Sequence, residues 1–224
     1  MYSVRGLPAF LGLGLLLALW GCSSPGNNFV AKPEPWRDDE DKACLASGVV
    51  RESPFVRARS ALGGPSYCGA EHPFEMTGAM GGRVQLNPPA MLRCPMIPQV
   101  DRWVSTVVDP LARRHYGQPI AEVKVAASFG CRPMNHVFGA KLSEHGRANA
   151  LDVSQFILAD GRRISVKEGW FGPSTDRQFL RAVREGACRE FTTVLSPNYD
   201  ANHRDHFHLD LARHGRDGLG RICK

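Results

Sequence analysis

Seven cysteines constrain the fold of this 224-residue chain more than any other feature of its sequence. One of them, Cys22, lies near the N-terminus, and no two cysteines form the C-x-x-C pair that is typical of zinc–cysteine sites. In an exported chain, the even number that remains predicts up to three disulfides, although the sequence does not choose among the possible pairings. The six cysteines are Cys44, Cys68, Cys94, Cys131, Cys188 and Cys223.

The N-terminal segment indicates that the chain is exported. Residues 1–21 carry one early basic residue, Arg5, and an apolar stretch from Leu7 to Trp20. This stretch is too short for a membrane span and is typical of a secretory signal peptide. The Leu-Trp-Gly-Cys sequence at its end resembles the box of bacterial lipoproteins, in which the cysteine, here Cys22, becomes the lipidated first residue. Secretion with cleavage nearby and no lipid is the alternative.

A lipid on Cys22 would hold the protein on a membrane of the cell envelope, facing the periplasm. Ser23 resembles an outer-membrane sorting signal, so the outer membrane is favoured. The net charge of +6 is spread along the chain without a basic stripe, and nucleic acid is therefore not an expected partner. A basic surface suits a polyanionic cell wall or an anionic membrane face.

Composition divides the rest of the chain into three parts. Residues 22–42 are rich in Pro, Gly, Asn and charge without periodicity, which predicts a lipidated cysteine followed by a flexible tether. Residues 43–94 carry three cysteines and short apolar runs, which predict strands and turns held by disulfides, as a subdomain or an N-terminal addition. Residues 95–224 are then the core of the domain.

This core alternates between helical and strand patterns. Apolar residues recur at helical spacing over 96–116, with Pro110 predicting a kink or break and Gly117 a stop. A second helix is predicted over 174–191, and Asp160-Gly161 predicts a hairpin turn. The resulting order of helix, three strands, helix and two strands favours an α+β fold with a mainly antiparallel sheet, stapled by disulfides.

Two groups of ionisable residues carry the chemistry. The first is His145 and Asp152, which have six residues between them. On one straight strand they would lie roughly 23 Å apart and on opposite faces, so they meet only if the chain turns back. Gly146 and Asn149 are the residues that permit such a turn.

The second group lies near the C-terminus, in the stretch NHRDHFHLDLA. A spacing of two on a strand places His206 and His208 on one face, with Phe207 in the core on the other. Combined with His145 and Asp152, this stretch could offer two imidazoles and a carboxylate to one metal ion and leave a fourth position open. An open position is the mark of a catalytic zinc site, and the same donors also suit copper or nickel.

The stretches SEHGRANALDV and HRDHFHLDLA, together with SFGCR and ACREF, resemble the C-terminal domain of the bacterial extensin-like protein family. More distantly, the motifs are similar to those of the lysostaphin, D-Ala-D-Ala peptidase and Hedgehog superfold. Penicillin-insensitive murein endopeptidases of this superfold carry a His-x-x-His-x-His cluster that matches His203, His206 and His208. The resemblance implies a fold of this type, with His145, Asp152 and His208 as zinc ligands.

The same resemblance implies roles for the neighbouring residues. His206 is the first candidate for the general base or transition-state stabiliser, and Asp205 is the second, since related peptidases have a longer Glu at that position. Arg132 resembles an arginine that contacts a substrate carboxylate or the oxyanion, although an ion pair on the surface is an equal alternative. Asp210 is expected to bond an imidazole of the site, and His203 to lie at its rim or orient substrate.

Together, these expectations predict that the protein is an exported zinc-dependent peptidase that acts on peptidoglycan stem peptides or cross-links. Two rivals remain. One is a metal-stabilised cell-wall-binding module without turnover, because a fold can retain its metal after losing its activity. The other is a structural envelope lipoprotein in which the His and Asp residues pair with one another and hold no metal.

Overall fold

The computed structural model describes residues 1–2 and 28–224. The predicted signal peptide and the lipidation of Cys22 concern residues outside these ranges, and both stay predictions. Among the described residues, every helix is too short or too polar to cross a membrane.

Helices and strands alternate along the chain. The helices are α1 (Trp36–Ser47), α2 (Met96–Trp103), α3 (Asp109–Tyr116), α4 (Val166–Gly169) and α5 (Ser174–Glu190), and a π-helical turn, Val104–Val108, joins α2 to α3. The strands are β1 (Val56–Ala58), β2 (Leu62–Gly63), β3 (Gly69–Ala70), β4 (Pro73–Ala79), β5 (Val84–Arg93), β6 (Ile120–Ala127), β7 (Ala150–Leu158), β8 (Arg163–Ser165), β9 (Thr193–Leu195), β10 (Phe207–Asp210) and β11 (Ile222–Cys223).

Nine of these strands form one sheet. Its order is β1-β4-β5-β6-β7-β10-β9-β11, with β8 paired beside β7, while β2 and β3 form a separate pair. All neighbours in the large sheet are antiparallel except β5 with β6 and β9 with β11, which are parallel. The predicted α+β class with a mainly antiparallel sheet is therefore confirmed.

Helices α2, α3 and α5 cover one face of this sheet and form the core with it. Trp103 is fully buried, its ring meets Phe156 and Phe191 edge to face, and its indole N–H donates to the carbonyl of Val183. The helical pattern over residues 96–116 is confirmed. The irregularity that Pro110 predicts is the π-helical turn just before it, because proline lacks the N–H of a regular helix.

Six cysteines form three disulfides, as the cysteine count predicts. The pairs are Cys44–Cys94, Cys68–Cys131 and Cys188–Cys223. Residues 43–94 are not a separate subdomain, because β4 and β5 belong to the large sheet. Main-chain pairing between β5 and β6 joins this part directly to the core.

The predicted tether is wrong for most of its length. Phe29 is buried against Leu142 and the Cys68–Cys131 disulfide, and residues from Trp36 onward form helix α1. Neither feature leaves a periodic apolar pattern in the local sequence, because the segment is held by a few contacts with distant residues. The chain is therefore part of the fold from about residue 29.

Candidate metal centre

Strand β10 supplies one side of the site through its simple alternation. Phe207 is fully buried, and its ring packs on Trp170 in the core. His208 and Asp210 therefore face the opposite side of the sheet from the helices. The pairing of β10 with β7 then sets His208 directly opposite Asp152, so strand register brings two predicted ligands together.

A short 3₁₀ turn, Glu144–Arg147, supplies the other side of the site. The hydroxyl of Ser143 caps this turn by accepting from the N–H of His145. The turn back toward β7 is made by Ala148, which has a left-handed conformation with φ of 50°. The expectation that Gly146 permits the turn is wrong in this detail, since Gly146 lies inside the 3₁₀ turn and its φ is not positive.

Gly146 has a packing role instead. A Cβ atom at this position would lie 2.5 Å from Cδ1 of Leu142 and 3.2 Å from Sγ of Cys68. The second of these atoms belongs to the disulfide with Cys131, and the sulfur also lies 3.1 Å from the carbonyl oxygen of Gly146. The glycine therefore lets the ligand-bearing turn rest directly on the disulfide.

Helix α1 fixes the same turn through a buried ion pair. Nη1 and Nη2 of Arg37 donate to the two carboxylate oxygens of Glu144 at 2.8 and 2.6 Å. Burial alone would lower the pKa of Arg37, but its ion pairs with Glu144 and Glu34 outweigh burial and raise it. Asn149 donates its side-chain amide to Glu144 at 2.5 Å. Arg37 and Glu144 were not predicted from the sequence. The position of Glu144 directly before the candidate ligand His145 is the signal that could have indicated its role.

Three side chains converge where the turn meets the sheet. His145, Asp152 and His208 are all buried, and their ligand atoms lie within 4.8 Å of one another. Oδ2 of Asp152 is 3.0 Å from Nε2 of His145, and Oδ1 is 2.9 Å from Nδ1 of His208. The two imidazole nitrogens are 3.2 Å apart. The structure thus brings together the three residues that the sequence motifs suggested as ligands.

The outward nitrogens of both imidazoles fit a metal site. Nδ1 of His145 lies 2.8 Å from the carbonyl oxygen of Ser128, and Nε2 of His208 lies 2.9 Å from Oδ2 of Asp210. Each of these partners accepts a hydrogen bond, so each outward nitrogen carries a proton. In a neutral ring the inward nitrogen then presents a lone pair, which is how metal-binding histidines are usually oriented. The donor set of two nitrogens and one carboxylate suits zinc.

A chain of polar contacts extends from His208 to the surface of the cleft. Oδ1 of Asp210 accepts from the N–H of Ala212 at 2.8 Å, and the hydroxyl of Thr193 also contacts this carboxylate. Oγ1 of Thr193 lies 2.7 Å from Nε2 of His214. The predicted role of Asp210 beside an imidazole is matched by this geometry. Neither Thr193 nor His214 was predicted from the sequence, since Thr193 meets Asp210 only through the pairing of β9 with β10, and His214 is brought in by its contact with Thr193.

The charges of the cluster are strongly coupled. Burial opposes the ionised forms, but hydrogen bonds with His145 and His208 outweigh it and hold the pKa of Asp152 well below its usual range. Burial likewise opposes a charged His208, yet its bonds to Asp152 and Asp210 raise its pKa to about 10. The pKa of Asp210 is lowered by the same partner. With no metal bound, a protonated His208 donates one hydrogen bond to Asp152 and another to Asp210, so both buried carboxylates have a partner.

His206 lies beside the three converging residues. Its Nε2 is 3.6 Å from Oδ2 of Asp152, and its Nδ1 is 2.8 Å from Oδ1 of Asp205. Asp205 is mostly exposed, with 62% of its side-chain surface accessible. Asp205 therefore orients the imidazole of His206. Nε2 is the ring nitrogen of His206 that lies nearer to the cluster.

Arg132 also faces the cluster. Its Nη2 is 3.9 Å from Oδ2 of Asp152, the nearest carboxylate oxygen among the described residues, and its side chain is 26% exposed. The neighbouring Cys131 is tied to Cys68, and the N–H of Ser143 donates to the carbonyl of Arg132. The backbone that carries the guanidinium is thus held in place, and Arg132 lines the cleft.

His203 completes a group of imidazole rings that pack in tilted and edge-to-face arrangements. Its ring centroid lies 5.3 Å from that of His206 and 5.9 Å from that of His208. Nδ1 of His203 is 2.6 Å from Oδ1 of Asp200. Burial is the largest cause of its lowered pKa, and Asp200 only partly opposes this shift. His203 is therefore a buried neutral ring behind the site rather than a ligand in the cluster.

Most of the polar side chains of the site line one cleft of about 1240 Å³, whereas His145 is buried and is not among the residues that line it. Asp152, His206 and His208 form part of its floor, and Arg132 and His203 line it nearby. The cleft continues past Arg37 and the segment around Lys32, so the docked N-terminal residues form part of its wall. A large cleft into which several polar side chains converge is a candidate ligand-binding site.

Comparison with protein families gives one match, and it covers most of the chain. The family model described as the extensin-like protein C-terminus matches residues 42–224. Neither a curated protein nor a solved structure matches the chain. The description of the family names no reaction, and the more distant relation to the zinc-peptidase superfold stays a hypothesis.

Proposed function

The chain belongs to the extensin-like protein C-terminal family, and we propose that it is an exported zinc-dependent hydrolase of peptide bonds in peptidoglycan. It would act on stem peptides or their cross-links. In this proposal the protein is held at the cell envelope by a lipid on Cys22, on the periplasmic side and at the outer membrane. The export, the anchor and the substrate rest on the leader sequence and on the motif resemblance.

The observation that carries the proposal is the convergence of three side chains, of which Asp152 and His208 line the cleft while His145 is buried beside them. His145, Asp152 and His208 offer three inward donor atoms, whereas closed structural zinc sites use four protein ligands. His145 and His208 are oriented by hydrogen bonds at their outward nitrogens. Three oriented donors beside open space are the arrangement that leaves a position for a reacting water.

A zinc ion held by these residues would lower the pKa of water to about 7 and polarise the scissile carbonyl. His206 is the residue that moves protons in this proposal, because its Nε2 points toward the cluster while Asp205 holds its Nδ1. Nε2 would take a proton from the attacking water as the new C–O bond forms. The same nitrogen would then return it to the departing amine as the C–N bond breaks.

Arg132 supports the substrate in this proposal. Arg132 lines the cleft, and its guanidinium approaches Asp152 at 3.9 Å while the side chain stays 26% exposed. The donors of the guanidinium suit either a carboxylate of the stem peptide or the carbonyl oxygen as it gains negative charge. A contact with the oxygen that strengthens in the transition state would raise kcat, whereas a contact with a remote carboxylate would mainly lower KM.

One observation favours the rival without metal. Since His208 can bridge Asp152 and Asp210 in its protonated form, the cluster satisfies itself as an ion-pair network. A structural envelope lipoprotein would need nothing more. Zinc binding separates this rival from the hydrolase, and turnover separates the hydrolase from a metal-stabilised wall-binding module.

The test uses the chain from residue 23 onward, loaded with zinc and incubated with purified cross-linked peptidoglycan. Mass spectrometry of the released muropeptides identifies the bond that is cut, and His206→Ala serves as the matched inactive variant. We expect cross-linked dimers to disappear only with the unaltered chain. One zinc per chain without any change in muropeptides would support the binding module, and the absence of zinc would support the structural lipoprotein.

A further inference from the structure

An exposed apolar loop lies at one rim of the cleft. Within residues 133–139, Phe138 is 84% exposed, Val137 59% and Met134 50%. The loop is nevertheless ordered by its backbone, since the N–H of Val137 donates to the carbonyl of Met134 and the N–H of Ala140 to that of Val137. Large apolar side chains that are held out into solvent in this way mark a contact surface.

The N-terminal segment of the fold runs alongside this loop. The N–H of Gly139 donates to the carbonyl of Asn28 at 2.8 Å, and the N–H of Val30 donates to the carbonyl of Ala140 at 2.8 Å. Val30 is itself 53% exposed. Because Gly139 directly follows Phe138, Asn28, the first residue of the described range 28–224, lies immediately beside the apolar tip.

The position of the predicted anchor then fixes what the tip faces. Only six residue steps separate Asn28 from Cys22, and fully extended they span on the order of 20 Å. The apolar leader lies before Cys22, so a lipid on Cys22 and a retained leader would attach the protein at the same place. Either form of attachment keeps Phe138 close to a bilayer surface.

The charge of the same surface is positive. Residues 128–143 contain Arg132, His136 and Lys141 but no Asp or Glu. The paired N-terminal segment adds Lys32 and Glu34, and the carboxylate of Glu34 is paired with Arg37 and Arg147. Both Lys32 and Lys141 are exposed. Basic side chains around an apolar tip are the combination that binds an interface containing anionic lipids.

We infer that the loop of residues 133–139, with Val30, is a membrane-contact surface that docks the domain on an anionic bilayer. Val137 and Phe138 enter the interface between headgroups and acyl chains, and Lys32 and Lys141 contact lipid phosphates. Met134, Asn135 and His136 also line the cleft, so docking holds the cleft beside the membrane. This inference depends on the attachment of the N-terminus and does not depend on the proposed hydrolase.

The experiment uses the full chain reconstituted in vesicles that contain phosphatidylglycerol and brominated lipids. Two variants each introduce one tryptophan, Phe138→Trp at the tip and Phe171→Trp as the control. Phe171 is 59% exposed between α4 and α5 and does not line the cleft. Bromine quenches tryptophan fluorescence only at short range. The increase in quenching relative to the unaltered chain therefore reports whether each position enters the bilayer.

We expect the added tryptophan at position 138 to be quenched at least about twofold more strongly than that at position 171, because an interfacial residue lies at the acyl boundary. Replacing Lys32 and Lys141 with Gln should reduce this quenching in phosphatidylglycerol but not in phosphatidylcholine vesicles. Equal quenching at the two positions would overturn the inference. The fluorescence of the tryptophan at position 138 is also measured without vesicles at increasing protein concentration. A blue shift under these conditions would identify a contact between two copies and would also overturn the inference.

Discussion

The two halves of the candidate metal centre are built in different ways. Strand β10 presents His208 through alternation alone, with Phe207 in the core and Asp210 two residues further along the same face. The turn Glu144–Arg147 presents His145 only because α1 and a disulfide hold it from outside. One half is therefore encoded locally, and the other depends on residues as far away as Arg37.

The largest expected effect comes from removing a ligand of the strand half. His208→Ala should lower zinc affinity by at least about 100-fold, because it removes an inward donor and leaves Asp152 and Asp210 without their shared partner. Isothermal titration with zinc measures this change. His72→Ala is the control, since His72 is exposed and does not line the cleft. Equal zinc affinity in both variants would remove His208 from the ligand set.

The turn half should respond to a change far from the metal. Arg37→Met leaves Glu144 partly buried without its bidentate partner, so we expect a loss of about 3 kcal/mol in the free energy of unfolding. Zinc affinity should fall as well, because Glu144 precedes His145 in the turn. Denaturant unfolding and zinc titration measure the two effects.

The double variant Arg37→Met with Glu144→Gln sharpens this prediction. It removes the unpaired charge, so part of the lost stability should return. Zinc affinity should stay low, since the link between α1 and the turn is still absent. Full recovery of zinc affinity in the double variant would mean that α1 does not position His145.

A smaller effect is expected from filling the space at Gly146. Gly146→Ala adds a Cβ only 2.5 Å from Leu142, so the turn must shift, and a loss of about 1–3 kcal/mol in unfolding free energy is expected. Gly130→Ala is the matched control, because a Cβ there meets nothing within 4 Å and needs no positive φ. Similar stabilities for the two variants in thermal unfolding would contradict the packing role of Gly146.

The stability of the metal-free protein should also depend on pH. The folded pKa of His208, about 10, lies above its usual value of 6.5, so its contribution to stability is complete below pH 6.5. This contribution is lost as the pH rises toward 10. The lowered pKa values of Asp152 and Asp210 have the opposite effect on stability. The two carboxylates contribute fully at higher pH, and this contribution is lost only as the pH falls below 3.8, the usual pKa of Asp. Unfolding in the presence of a chelator should show this alkaline loss in the unaltered chain and not in His208→Gln.

The same contrast explains how much the sequence could predict. Alternation and helical spacing are local, so the strand that carries His208, the helical stretches over residues 96–116 and 174–190 and the α+β class followed from the sequence. A turn that brings His145 back to Asp152 was expected. The residue with the left-handed backbone conformation in this turn is Ala148, however, and an alanine side chain gives no local signal for that conformation. The docking of residues 29–47 depends on Phe29 and Arg37 meeting partners more than 100 residues away. Composition alone made that segment resemble a tether.

The most direct test of the account is X-ray absorption at the zinc edge of the zinc-loaded chain. The account predicts one zinc per chain, with nitrogen and oxygen neighbours at about 2.0–2.2 Å and the outer-shell scattering of two imidazoles. His145 and His208 supply those rings, and Asp152 supplies the carboxylate. Sulfur neighbours at about 2.3 Å, or a chain that binds no zinc at all, would contradict the central claim.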